Sequence, residues 1–367
     1  MNKVQENEFI PDYAVTPGEV LNEYLEDLGM TQAELADRTG LAKKTINEII
    51  KAKSPITPET ALKLERTLGR PAHFWSNLER QYQDNQVRIA EKDRLESHLH
   101  WLKNVPVASM AKLGWINKTK DKSKQLDAVL RFFGIASPEQ WHTVWDSNIQ
   151  IAYRQTDRSD KNFEAISAWL RQGEIQAQQV KCAPFDSKLF QDNLDKIRGL
   201  TMEKDPKIFM PALTDLCSAA GVIVVFVPAL PKVGIHGATR WIGDKPVMQL
   251  SFLFKSNDQF WFTFFHEAGH ILKHGRKDIF IEITKLESEK EEEANTFARD
   301  KLIPPAQFKT FLQYYDPPML TPIEKFAKEI GIAPGIVVGR LQRDGILLWK
   351  VGNHLKVFYE WEKRDVE

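Results

Sequence analysis

Hydrophobic positions recur at helical spacing in the N-terminal part of the chain, interrupted by residues that start and stop helices. Between Thr16 and Leu78 the apolar residues repeat every three or four positions, which is the period of a helix with one buried face. Thr31 and Glu34 have the spacing of a capping box, and Gly40 marks the end of the helix that they begin. The pattern predicts a first domain of five short helices over residues 10–80.

The pattern changes from helical to mixed at Gly221. Residues 81–205 carry helix signals without recognisable chemistry, and we interpret them as a helical connecting region. After Gly221, short apolar runs predict buried strands, and longer amphipathic runs predict helices. The predicted strands are 222–227 and 246–250, and the predicted helices are 258–273 and 287–302. A second, α+β domain is therefore expected over 206–345.

The last residues alternate between apolar and polar side chains on both sides of Gly352-Asn353. Such alternation around a two-residue turn is typical of two paired strands. We expect a C-terminal β-hairpin over 346–367, in a chain whose fold class is α+β but mostly helical.

Composition limits the class of protein. Of 367 residues, 42% are hydrophobic, and 50 basic side chains balance 50 acidic ones, which excludes a uniformly basic nucleic-acid binder. The longest apolar stretch, 222–230, is shorter than the ~20 residues of a membrane helix, and the first residues lack the apolar core of a secretory signal. Cys182 and Cys217 have no CxxC spacing and are expected to be buried thiols. We expect a cytoplasmic protein without a membrane partner.

Two predicted helices have the arrangement of a helix-turn-helix, with residues 32–39 followed by a short turn and then by residues 43–50. The second helix carries polar residues on its outer face, and residues 31–70 hold eight basic and five acidic side chains, a local balance of +3. The predicted DNA contacts are Gln32, Lys43, Lys44, Thr45, Asn47, Glu48 and Lys51. A small helical docking module with a solvated basic face is the alternative.

The same region resembles the HigA-like antitoxins of the phage-repressor (XRE) class. The resemblance runs without a gap over residues 21–79, from LNEYLEDLGMTQAELADRTGLAKKTINEII through KAKSPITPETALKLERTLGRPAHFWSNLE. It implies a homodimer on a palindromic double-stranded DNA operator and, in many relatives, pairing with a toxin.

A metal-binding motif lies on the predicted helix 258–273. The sequence HEAGH places His266 and His270 four residues apart, on one helical face, where both imidazoles can reach a single tetrahedral Zn²⁺. Glu267 can act as the general base of a hydrolytic reaction beside such a metal. The preceding run FWFTFF predicts that this helix is buried on nearly all sides. A pair of core histidines satisfied by hydrogen bonds is the alternative.

A third protein ligand is required for a zinc site. The three-histidine form of the motif fails, because Lys273 and Arg276 occupy its diagnostic positions. His274 lies one turn beyond His270, but a straight helix would carry it away from the metal. The remaining source of a ligand is the acidic start of the next helix.

The phase of that helix selects one glutamate. Its apolar stripe is defined by Ala294, Phe297, Ala298 and Leu302. At about 100° per residue, Glu291 lies within about 50° of the middle of the stripe, whereas Glu292 and Glu293 lie more than about 100° away and should be solvated. Glu291 is therefore the better ligand, with Asn295 one turn later as an expected partner of a ligand.

The sequence around the candidate metal ligands is similar to that of the ImmA/IrrE family of zinc metallopeptidases. The similarity rests on WFTFFHEAGHILKH, followed by ExxAN, FA and Leu-Ile-Pro. It implies that His266, His270 and Glu291 hold one Zn²⁺ per chain, that Glu267 is the catalytic base, and that the domain has a zincin-like fold with a small sheet. Family members typically cleave a repressor, which implies a protein substrate.

The stretch GIHGATRWIGDKPVMQL also resembles the strand on the substrate side of that family. This resemblance implies that His236 and Arg240 contact the substrate or an oxyanion. A turn histidine and a salt-bridged surface arginine are the alternatives.

Three functions remain open. The first is a DNA-binding regulator with an active, or latent, zinc endopeptidase that acts on a repressor or toxin–antitoxin component. The second is a HigA-like antitoxin or autorepressor whose zinc domain is structural or partner-binding, which Glu267 disfavours because a structural site needs no base. The third is a peptidase whose first domain only dimerises, which Lys43, Lys44 and Asn47 disfavour.

Overall fold

The computed structural model describes residues 15–146, 162–231, 233–251, 253, 255–274, 280–283 and 289–360. The chain divides into two compact units, the first ending at Leu99 and the second beginning at His100. Within the described ranges, the structure contains no helix with the length and apolar character that crossing a membrane requires.

The first unit consists of the five predicted helices. They are α1 (Pro17–Asp27), α2 (Gln32–Thr39), α3 (Lys43–Ile50), α4 (Pro58–Leu68) and α5 (Ala72–Ser97). Thr16 and Glu19 form a complete capping box at α1, whereas at α2 Thr31 caps the backbone of Glu34 and the Glu34 carboxylate pairs with Arg38 instead. Around a fully buried Trp75, the core is made by Leu21, Leu25, Leu35, Ile46, Ile49 and Leu64.

Helix α5 extends the first unit beyond its predicted end at residue 80. It is continuous to Ser97, because no glycine or proline interrupts the residues after Pro71 until the helix ends. The structure therefore places the division between the units after Leu99.

Most of the predicted connecting region belongs to the second unit. The helices of this part are α6 (Val107–Lys112), α7 (Lys122–Phe133), α8 (Pro138–Trp141), α9 (Phe163–Ala177) and α10 (Ser187–Gly199), and α11 (Pro206–Ala219) follows them. The Trp169 indole on α9 donates to the carbonyl of Val227 at 3.0 Å, and the Gln249 amide donates to the carbonyl of Trp169 at 2.6 Å. Because these buried groups satisfy one another, α9 is part of the same core as the sheet rather than a linker.

The sheet has four strands in the order β1-β3-β2-β4: β1 (Ile223–Phe226), β2 (Ile235–Ile242), β3 (Lys245–Leu250) and β4 (Phe280–Ile283). Strand β1 runs parallel to β3, and the other pairs are antiparallel. The apolar runs predicted β1 and β3. No apolar run predicted β2, because polar residues interrupt its sequence. Strand β4 was not predicted.

Helix α12 (Asn257–Lys273) occupies the centre of the second unit, as the apolar run before HEAGH predicts. Its large side chains Phe260, Trp261, Phe264 and Phe265 are buried. The helices that follow are α13 (Glu289–Leu302), α14 (Pro305–Tyr314), α15 (Thr321–Ile330) and α16 (Pro334–Arg343). Gly269 permits the close approach of α13, since a Cβ there would lie 3.2 Å from the Cα of Ala294.

The prediction of a C-terminal hairpin is wrong for the described residues 346–360. They contain a short 3₁₀ turn, Asn353–Leu355, and a single bridge between Phe358 and Ser256. The Gln342 amide binds the carbonyls of Trp349 and Val351, so these groups do not pair with a second strand. The segment instead attaches to the start of α12, where Lys356 Nζ lies 2.7 Å from Asp258 Oδ2 in a buried ion pair. Residues 361–367 lie outside the described residues.

Candidate metal centre and nucleic-acid interface

Helices α2 and α3 present the predicted polar residues on one face. Ile46 and Ile49 are buried, so the opposite side of α3 faces outward. Lys44 is 84% exposed and lies 3.7 Å from Glu48, and the Asn47 amide approaches Gln32 of α2 at 3.4 Å. A helix held by its apolar side, with this polar side free, has the form of a major-groove recognition helix.

The remaining predicted contacts lie at the edges of the same face. Lys43 and Lys51 are exposed at the beginning and just after the end of α3, and Thr45 is half-buried. The N-cap of α3 is Ala42, which supplies no side-chain cap. Its first N–H groups can therefore bind a phosphate oxygen.

The metal candidates converge between α12 and α13. His266 and His270 lie one turn apart on α12, and their Nε2 atoms are 2.9 Å from each other. The Glu291 carboxylate on α13 lies 3.1 Å from His266 Nε2 and 3.4 Å from His270 Nε2. All three residues are buried, and one donor atom of each lies within 4.8 Å of the others. The structure thus brings together His266, His270 and Glu291, which were selected from their positions on the faces of the predicted helices.

Hydrogen bonds on the outer side of each imidazole fix which nitrogen points inward. His266 Nδ1 lies 3.0 Å from Asn295 Oδ1, which can only accept, so Nδ1 carries the proton. His270 Nδ1 lies 2.9 Å from His274 Nδ1. The Nε2 lone pair of His266 then points at the Glu291 carboxylate. Acceptor groups in this arrangement repel each other unless a cation lies between them.

Burial and neighbouring groups set the protonation of the cluster. Burial lowers the pKa of His270 to about 4 despite the nearby Glu291, so its imidazole is neutral at pH 7. Burial alone would raise the pKa of Glu291, but the neighbouring His266 and His270 lower it to about 2. A neutral imidazole and an ionised carboxylate are the forms that bind metals.

Glu267 lies beside this cluster, on the side of α12 that faces β2. It is completely buried, and the Thr239 hydroxyl donates to its Oε2 at 2.5 Å. Gly237 leaves room for the carboxylate, since a Cβ there would lie 2.6 Å from Glu267 Oε1. The strand therefore orients a carboxylate that is not among the three converging groups.

Comparison with known proteins matches one family to a segment of each unit. Residues 21–75 match the helix-turn-helix family, and residues 217–342 match the family described as the IrrE N-terminal-like domain. The chain belongs to the helix-turn-helix regulators that carry an ImmA/IrrE-type domain.

Individual relatives match a short part of this regulator. Virulence-associated protein I of Dichelobacter nodosus is 37% identical over 82 residues, which are 22% of this chain and 73% of the relative. Antitoxin HigA-1 of Vibrio cholerae is 35% identical over 66 residues, which are 18% of this chain and 62% of the relative. The solved structure of the Pseudomonas aeruginosa antitoxin HigA with higBA promoter is 28% identical, with a TM-score of 0.22, over 23% of this chain and 94% of that one.

The structure corrects the expectation for Arg240 of the regulator. Thr239 points toward α12, so its neighbour Arg240 points to the opposite face of the sheet. There the guanidinium is buried and donates to the carbonyl of Leu170 on α9 at 2.5 Å. Arg240 fastens α9 to β2 and lies on the wrong face to contact a substrate at the metal cluster.

His236 lies closer to the candidate catalytic side of the regulator. It lines a small cavity together with Gln259 and Thr263 of α12. Burial lowers its pKa to about 4, so the imidazole is neutral at pH 7 and can donate a hydrogen bond. Its contact with a substrate remains a prediction.

Sequence reasoning missed two contacts of the regulator's site. Thr239 had no visible signal, because its role depends on the face that it takes in β2, and the resemblance that predicted this strand did not fix its register. Glu293 was expected to be solvated and is 58% exposed, but its Oε2 lies 3.0 Å from His274 Nε2. The spacing HxxxH was a signal for the contact between His270 and His274, but not for the contact of His274 with Glu293.

Proposed function

We propose that the protein is a DNA-binding transcriptional regulator whose second unit contains a zinc-dependent endopeptidase that cleaves a regulatory protein in a stress or toxin–antitoxin response. The observation that carries this proposal is the convergence of two histidine Nε2 atoms and the Glu291 carboxylate next to a separately oriented Glu267.

The donor set fits Zn²⁺. Bonds of about 2.0–2.1 Å to a tetrahedral zinc separate the ligand atoms by about 3.3 Å. The distances between the three donor groups, 2.9, 3.1 and 3.4 Å, are close to that separation. Three protein ligands leave the fourth position open, which is typical of catalytic rather than structural sites.

The residues around the cluster have distinct parts in peptide hydrolysis. A bound Zn²⁺ would lower the pKa of a water molecule to about 7 and polarise a peptide carbonyl. Glu267 accepts the proton of the attacking water and delivers it to the departing amine. Thr239 keeps the Glu267 carboxylate in place through its hydrogen bond. His236, neutral at pH 7, can donate to the oxyanion of the scissile carbonyl.

The first unit supplies the DNA-binding part of the proposal. A homodimer would place two copies of α3 in successive major grooves of a palindrome whose half-sites lie about one helical turn apart. Lys44 and Asn47 have the chemistry to bind guanine and adenine edges, whereas Gln32 and Lys51 have the chemistry to bind phosphates.

Substitutions on α3 should separate base contacts from phosphate contacts. We expect Lys44→Ala and Asn47→Ala each to weaken operator binding by roughly 1–3 kcal/mol, because each removes the hydrogen bonds to one base edge, with a smaller effect on random DNA. Lys51→Ala should weaken binding to both DNAs equally and reduce the salt dependence. Fluorescence anisotropy at several salt concentrations measures both effects. Equal losses of affinity for operator and random DNA in all three variants would rule out the assigned recognition face.

Incubation of the purified, zinc-loaded chain with products of neighbouring open reading frames tests the proposed activity directly. Defined fragments of one such protein should appear by mass spectrometry, and they should be absent after zinc removal and return when zinc is restored. Binding of a partner without any fragment would instead support the antitoxin function with a partner-binding zinc domain.

A further inference from the structure

A line of hydrogen-bonding groups leads from the metal cluster to the surface. His270 Nδ1 lies 2.9 Å from His274 Nδ1, and His274 Nε2 lies 3.0 Å from Glu293 Oε2. The His274 side chain is only 3% exposed, whereas that of Glu293 is 58% exposed. The line begins at a candidate metal ligand and ends at a carboxylate in contact with water.

The chemistry of imidazole gives this line a direction. When the Nε2 of His270 binds a metal ion, its proton is on Nδ1. The Nδ1–H of His270 then donates to the Nδ1 of His274. An accepting Nδ1 carries no proton, so the proton of His274 is on Nε2. Nε2–H then donates to the Glu293 carboxylate. Both histidines are held in one tautomer each.

We propose that His274 and Glu293 are positioning residues of the metal centre, which fix the tautomer and ring orientation of His270 and strengthen it as a ligand. This inference rests on the zinc site of the proposed function. The negative charge of Glu293 polarises the imidazole of His274, which then accepts a stronger hydrogen bond from the Nδ1–H of His270. This makes the Nε2 of His270 a better electron donor to the metal.

The Nδ1 atoms of the two candidate histidine ligands form different hydrogen bonds. His266 donates to the neutral amide oxygen of Asn295, whereas His270 donates toward a group that is itself bound to a carboxylate. Hydrogen bonds involving an ionised acceptor are roughly twice as strong as neutral ones. The support of His270 therefore depends on the charge of Glu293, whereas that of His266 does not.

Glu293→Gln is the decisive variant, because it removes the charge while leaving an oxygen that can accept from His274. An exposed side chain contributes little to folding stability, so the variant should fold like the wild type. Loss of such an outer partner typically lowers metal affinity 10–100-fold, and we expect about a tenfold loss of Zn²⁺ affinity. Competition with a chromophoric chelator measures it.

Glu289→Gln is the matched control. Glu289 is exposed at the start of the same helix, away from the histidine line. It should bind Zn²⁺ as tightly as the wild type. Nitrogen NMR of the zinc-loaded wild type should also show a proton on Nδ1 of His270 and on Nε2 of His274, a signature that a merely structural role does not require.

The outcomes separate this inference from the proposed function. If the wild type binds Zn²⁺ and Glu293→Gln binds it equally tightly, the positioning role is wrong while the zinc site stands. A His274 protonated on Nδ1 leads to the same conclusion. If the wild type itself binds no Zn²⁺ at this cluster, the proposed function and the inference both fail.

Discussion

Replacing Glu267 with glutamine is expected to abolish cleavage while zinc binding and operator binding remain at wild-type levels. The amide cannot accept a proton from the attacking water, and a positioned general base typically contributes 10²–10⁴-fold to the rate. Glu267 is not among the three converging donor groups, and it lies in the other compact unit from α3. Cleavage is followed by fragment formation, zinc by elemental analysis and DNA binding by anisotropy.

Thr239→Val is the companion variant. It removes the hydroxyl that binds Glu267 Oε2 but leaves the carboxylate, so we expect a partial loss of cleavage rather than a complete one. Full activity in Glu267→Gln would exclude Glu267 as the base. Loss of zinc in that variant would show that Glu267 takes part in metal binding.

The same substitution tests whether proteolysis operates the regulator in cells. A wild-type chain that acts by cleavage should derepress its target under the inducing stress, and Glu267→Gln should keep the target repressed. If both proteins regulate alike in every condition, the peptidase is not part of the switch. The antitoxin function with a structural or partner-binding zinc domain would then be favoured.

Local periodicity was sufficient to predict the residues that meet at the metal cluster. His266 and His270 are four apart on one helix, and the apolar stripe of α13 turns Glu291 inward while Glu293 remains 58% exposed. In a regular helix these directions follow from sequence spacing alone. The bound zinc and the roles of these residues remain predictions.

Contacts between distant segments could not be predicted in this way. Arg240 was assigned to the substrate side, but the face to which it points depends on the pairing and phase of β2. A shift of one residue in a strand exchanges its faces. The C-terminal hairpin failed for a similar reason, because Gln342 binds carbonyls that would have joined the second strand.

Replacing Glu291 with glutamine is expected to remove most of the zinc from the protein. The wild type, purified without added metal, should contain close to one zinc per chain by elemental analysis. In the variant, two histidines remain at the cluster, and a neutral amide is a far weaker ligand than a carboxylate for a divalent cation. Glu289→Gln, at the exposed start of the same helix, should retain its zinc.

Thermal unfolding distinguishes loss of the metal from loss of the fold. A ligand that binds only the native state stabilises it by about 2.7 kcal/mol when its free concentration is 100 times Kd. Added zinc should therefore raise the Tm of the metal-free wild type, and the Tm of Glu291→Gln should barely respond. The metal-free variant should unfold at a lower temperature than the metal-free wild type, because the folded protein lowers the pKa of Glu291 and so is stabilised by its charge at pH 7. The comparison therefore uses the change in Tm that added zinc causes in each protein. Equal zinc content and an equal response to zinc in Glu291→Gln would mean that the third ligand is another residue, and the helical phase assigned to α13 would have to be abandoned.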